Sequence, residues 1–136
     1  MIEGIGIVLV THEGLGGALV DTCVAITGTL ENLTHVAVMA SDGVGEVREN
    51  IDRAINSVKG DRGAILLVDM FGGTPSNISL SFLAEGKVEV VTGVNLPMLL
   101  KVAAFDSTTS LDEAARMLRD YGRQHIKVAA EYLSGK

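Results

Sequence analysis

Ala64-Ile65-Leu66-Leu67-Val68-Asp69-Met70-Phe71-Gly72-Gly73-Thr74-Pro75-Ser76-Asn77 is the stretch that sets the fold. Its first five residues are all apolar, too few for a buried helix and rich in branched side chains, which predicts a strand covered on both faces. The glycine pair then turns the chain. Pro75 stands where a helix would open, a place where its missing N–H is no loss. Strand, glycine turn and helix in direct succession make half of a βαβ unit.

Three further apolar runs, at residues 5–10, 35–40 and 88–91, have the same character. Each predicts a buried strand. Between them the spacing is helical: Leu15, Leu19, Cys23 and Ile26 share one face, and Val44, Val47, Ile51, Ile55 and Val58 share another. Pro75 opens a third helix through Ile78, Leu80 and Phe82, and Pro97 a fourth through Leu99, Leu100 and Ala103. After a polar hinge at residues 107–110, Leu111, Ala115, Leu118, Tyr121 and Ile126 predict a long last helix reaching Leu133, with Asp112 and Glu113 in its first turn. Gly122 and the β-branched Ile126 and Val128 leave a C-terminal edge strand as the alternative for its second half. Alternation of this kind, joined by right-handed crossovers, predicts an α/β fold: a doubly wound, mainly parallel four-stranded sheet of order 2-1-3-4 with helices on both faces. Residues 1–136 read as one domain.

Composition narrows the partners. A net charge of −6 argues against nucleic acid and anionic membrane surfaces, both of which need clustered Lys and Arg. The longest apolar runs are about five residues against the ~20 that span a bilayer. Glu3 ahead of the first run is not how a signal peptide begins, so the expected location is cytoplasmic. Cys23 is the only cysteine, which excludes an internal disulfide and a cysteine-based zinc cage; its expected role is helix packing.

In a 2-1-3-4 sheet, strands 1 and 3 are neighbours whose following helices leave to opposite faces, opening a crevice at their carboxyl ends. Strand 1 delivers Thr11-His12-Glu13-Gly14 there, and strand 3 delivers Asp69 and the Gly-Gly-Thr-Pro turn. His12 and Asp69 are therefore expected within reach of each other. A carboxylate that holds one imidazole nitrogen leaves the other as nucleophile or proton carrier. A phosphoryl group on that nitrogen would meet helix N-termini after Gly14 and Thr74, approached closely at Gly14, Gly16, Gly17, Gly72 and Gly73. Thr74 and Ser76 would add hydroxyls, with Asn95 and Thr11 at the rim. His35 and His125 lack such a setting and read as structural or surface residues. Gly14 to Gly17 is no dinucleotide fingerprint, since position 19 is Leu, and His12-Glu13 begins no zinc motif, since position 16 is Gly.

Three blocks, Val10-Thr11-His12, Leu67 through Asn77, and Gly93-Val94-Asn95-Leu96-Pro97-Met98-Leu99, resemble the mannose-type IIA family of the bacterial phosphoenolpyruvate-dependent sugar phosphotransferase system. The resemblance implies that His12 takes a phosphoryl group from the phosphocarrier HPr and passes it to a IIB protein. It places Asp69 against the imidazole and the Thr74 hydroxyl near the phosphoryl group. It further implies a homodimer built through residues 125–133, and no magnesium or other cofactor. Many family members have Gly directly after the histidine, where this chain has Glu13. With no fused IIB domain, the acceptor is expected to be a separate protein. The alternative is a regulatory module whose binding changes with His12 phosphorylation. A receiver-like domain phosphorylated on Asp69 is disfavoured, because Thr11 and His12 stand where metal-binding carboxylates would be needed.

Overall fold

Four strands, β1 (Gly6–His12), β2 (Leu33–Val38), β3 (Ala64–Val68) and β4 (Val88–Thr92), pair in parallel as one sheet of order β2-β1-β3-β4. The computed structural model describes residues 4–135; the expectation drawn from Glu3 lies outside them. β3 is buried at every residue, as its unbroken apolar run requires. β2 starts at Leu33, two residues before the expected run, because Leu33 and Thr34 continue the pairing with Ile7 and Val8.

The central strands split two cores by the alternation of their side chains. Ile7, Leu9, Ile65 and Leu67 face α1 (Leu15–Thr27), α4 (Leu96–Lys101) and α5 (Leu111–Gln124) through Cys23, Leu99 and Leu118. Val8, Val10, Leu66 and Val68 face α2 (Val44–Val58) and α3 (Thr74–Leu80) through Val47, Ile51, Ile55 and Ile78. Cys23 is fully buried in the first of these cores. Pro75 and Pro97 both sit in the first turn of their helices, and α3 stops at Leu80, short of Phe82.

The C-terminal segment departs from both expectations. α5 ends at Gln124, residues 125–128 are irregular, and a short α6 (Ala129–Leu133) follows. Among the described residues no fifth strand forms. At the end of α5 the His125 ring nitrogen Nδ1 lies 2.8 Å from the Tyr121 carbonyl, one turn back in the helix. The β-branched Ile126 and Val128 then disfavour restarting it at once. Leu15 and Ile26 at the ends of α1 are exposed, as is Val44 at the start of α2, so the buried stripes are shorter than the periodicity indicated.

Candidate functional site

The register brings the two strand ends together. Val10 pairs with Val68, so Asp69 follows one residue beyond β3, alongside the end of β1. One oxygen of Asp69, Oδ2, accepts both the His12 main-chain N–H and the His12 ring Nδ1, each at 2.9 Å. Oδ1 accepts the Met70 N–H at 3.0 Å. Burial pushes the Asp69 carboxyl up, but the His12 main-chain N–H, the His12 ring and the Met70 N–H outweigh it and hold the carboxyl below its ordinary value. An ionised carboxylate only accepts, so Nδ1 carries the proton, and in the neutral ring Nε2 is the nitrogen with the lone pair.

Nε2 has no hydrogen-bond partner among the described residues, and the His12 side chain is 46 % exposed while Asp69 is 9 % exposed. The ring lies against Gly73, the residue before α3. A Cβ placed on Gly73 would sit 3.2 Å from His12 Cε1 and 3.3 Å from Nε2, and Gly73 has φ +85°. Glycine is therefore required twice over, by space and by backbone. No side chain caps α3, and Thr74, its first residue, is exposed.

Other expected site residues are engaged elsewhere. Thr11 is fully buried, and its Oγ1 accepts the Gly16 N–H at 2.8 Å, tying the end of β1 to the first turn of α1. The Asn95 side chain caps α4 by accepting the Met98 N–H at 2.9 Å and donates to the Gly122 carbonyl at 3.1 Å, anchoring the end of α5. Ser76 is fully buried with its hydroxyl unpartnered, so it offers no surface to a ligand. Gly14 is exposed at the start of α1, where the Gly16 amide is already taken by Thr11. His35 lies at the sheet edge with its ring against Gly17.

Glu13 is the one non-glycine residue with positive φ among those described, at +50°. Its N–H donates to the Val38 carbonyl at 3.0 Å, so the next strand fixes the turn. The left-handed conformation costs ~1–2 kcal/mol relative to glycine.

A family described as "PTS system fructose IIA component" matches residues 6–119. The chain belongs to this mannose-type IIA family. It is 30 % identical over 130 residues to the fructose-specific EIIA component of Bacillus subtilis strain 168, covering 95 % of this chain and 89 % of that protein. The mannose-specific EIIAB component of Escherichia coli K12 is 28 % identical over 125 residues; the match takes in 90 % of this chain and 39 % of that longer protein. The crystal structure of the EIIA component from Streptococcus agalactiae superposes with a TM-score of 0.83 at 22 % identity, covering 94 % of this chain and 99 % of that one, a likeness of fold.

Membership puts this mannose-type IIA chain among the phosphoryl-transfer components of the sugar phosphotransferase system. Among the described residues no helix is long and apolar enough to cross a membrane. The IIA surface has one property that strand and helix periodicity does not reveal. Leu15, Met39, Val44, Met70 and Phe71 stand exposed in the loops and first helical turns at the carboxyl end of the sheet, the end that carries His12. The signal was present in Met70 and Phe71, two large apolar side chains set between an aspartate and a glycine pair. A hollow of about 780 Å³ lies at the opposite end, lined by residues such as Arg62, Leu83, Glu89 and Asp112, remote from this chemistry.

Proposed function

We propose that the chain is a phosphohistidine carrier that accepts a phosphoryl group on His12 Nε2 from phospho-HPr and hands it to a separate IIB protein. The observation that supports the proposal is the asymmetric imidazole: Nδ1–H held by an ionised Asp69, Nε2 unpartnered among the described residues, and the Cε1–Nε2 side of the ring against Gly73 before α3. In the transfer, the Nε2 lone pair attacks phosphorus, the donor's N–P bond breaks, and its electron pair returns to the donor imidazole. The His12 ring then carries positive charge, which Asp69 balances across the Nδ1–H bond. The Thr74 hydroxyl and the main chain at Gly73 and Gly14 are the expected phosphoryl contacts. The reverse attack, by a partner nucleophile on the phosphorylated ring, discharges it without any further group from this chain.

Exposed apolar side chains around an open imidazole suit a protein donor better than a small free substrate, which needs an enclosing pocket. The homodimer expected of the family is part of the same proposal. It is supported by Ile126, Val128, Tyr132 and Leu133, all exposed in the segment expected to form the interface.

Intact mass after incubation with phosphoenolpyruvate, enzyme I and HPr tests the carrier reading. One phosphoryl group should appear on the wild type and none on His12→Ala, and the adduct should survive alkali while acid removes it. Uptake by folded His12→Ala would overturn the assignment.

A further inference from the structure

We infer that Glu13 is a specificity-determining residue that selects donor and acceptor proteins carrying a Lys or Arg beside their own reactive histidine; the inference rests on the carrier reading above. Four loops meet at the carboxyl end of the sheet, residues 13–14, 39–43, 69–73 and 93–95. Neither these loops nor the first four residues of the helices that follow them contain a Lys or Arg. They contain Glu13, Asp42, Glu46 and Asp69. Two of these carboxylates have local work: Asp69 holds His12, and Asp42 accepts the Met39 N–H at 2.8 Å to close its own turn. Cations do occur farther along the packed helices. Arg48, one turn into α2, reaches Ser81 Oγ at 3.5 Å, and Arg123 sits at the end of α5.

A dianionic phosphoryl group thus arrives among loops and first helical turns that hold no Lys or Arg, next to an extra carboxylate. Glu13 is exposed, and its side chain makes no hydrogen bond or ion pair among the described residues. It is adjacent to the nucleophile and stands in a backbone conformation that glycine would fill without strain. Neither packing nor hydrogen bonding within the chain accounts for a glutamate there. A cation brought by the partner accounts for it. That cation neutralises the incoming phosphoryl group and pairs with Glu13 at the same moment, so partners that have it dock and phosphoryl donors that lack it are repelled.

The test compares phosphoryl uptake by wild type, Glu13→Gln and Glu13→Asp from two donors, phospho-HPr and phosphoramidate, a small N–P compound with no protein surface. Gln keeps the size and the left-handed backbone demand of Glu, so folding is not at issue. At low salt, Glu13→Gln should slow transfer from phospho-HPr about two- to fivefold, the range of one exposed ion pair, and flatten its salt dependence. It should speed uptake from phosphoramidate, and Glu13→Asp should restore most of the phospho-HPr rate. Equal changes with both donors, or an unchanged phospho-HPr rate, overturn the inference while leaving the carrier reading intact. Failure of the wild type to take phosphate from either donor overturns both.

Discussion

Gly73→Ala is the sharpest probe of the proposed geometry. The new methyl would lie 3.2 Å from His12 Cε1 and 3.3 Å from Nε2, inside the roughly 3.5–4.0 Å of ordinary contact. The ring has no easy retreat, because Nδ1 is bonded to Asp69 Oδ2 at 2.9 Å and that oxygen also holds the His12 main chain. The methyl therefore presses on the Cε1–Nε2 side of the ring and must shift it or be shifted. A misplacement of about 1 Å costs about 10²-fold in rate, so a ring shift of a few tenths of an ångström should cost about tenfold or less. The backbone adds its own effect, since alanine at φ +85° and ψ 171° is destabilising by about 1–3 kcal/mol. Gly72→Ala separates the two. Gly72 has φ +89° but nothing within 4 Å of a Cβ, so it should lose comparable stability and keep its phosphorylation rate. Urea denaturation gives the stabilities, and intact-mass time courses with phospho-HPr give the rates. Folded Gly73→Ala that is phosphorylated as fast as Gly72→Ala would mean that the contact with Gly73 does not set the position of the reactive ring.

Three further outcomes follow from the same contacts. Asp69→Asn should still accept phosphate on His12 but more slowly, through loss of ring orientation and charge balance. Because the folded carboxyl lies below its ordinary value, its stabilisation is present above the unfolded value, about 3.9, and fades as pH falls through the folded one; the stability gap between wild type and Asp69→Asn should therefore shrink below about pH 4. Thr11→Val removes the acceptor for the Gly16 amide inside the core and should lower stability by about 1–3 kcal/mol in urea denaturation, with phosphorylation of the folded protein retained. Glu13→Gly relieves the left-handed strain and should raise stability by about 1 kcal/mol, read from the denaturation midpoint; an unchanged or lower midpoint would show that the turn is not strained.

Much of this arrangement was legible in the sequence because it depends on strand ends and topology. An apolar run that stops at Val68 and turns at Gly72-Gly73 fixes where Asp69 must lie once β1 and β3 are neighbours, and His12 follows from the end of the first run. Side-chain commitments were less legible. Thr11 and Asn95 look like rim residues in one dimension, but Thr11 points into the core and Asn95 turns to cap α4. Both facts depend on which way a side chain faces at an element's end. Leu15 and Val44 share the period of buried stripes yet stand exposed, because the first residues of their helices extend past the layer they cover. At the break after Gln124 the His125 ring bonds the Tyr121 carbonyl, a side-chain contact that propensity sums do not contain.

The direction in which His12 faces is set by parity along β1. Ile7 and Leu9 enter the core under α1, and Thr11, two residues on, keeps that side and bonds the first turn of α1. Val8 and Val10 enter the core under α2 and α3, so His12, the next of that set, turns its ring toward Gly73 at the start of α3. A shift of one residue in the register of β1 would exchange the two: the histidine would point into the α1 core, and the threonine would face Asp69. The alternation that buries the strand also aims the nucleophile. Asp69 then reinforces the register, because Oδ2 binds the main-chain N–H of the same residue whose ring it orients. Position of the backbone and tautomer of the ring are thus held by one oxygen atom, and losing it should loosen the end of β1 as well as the imidazole.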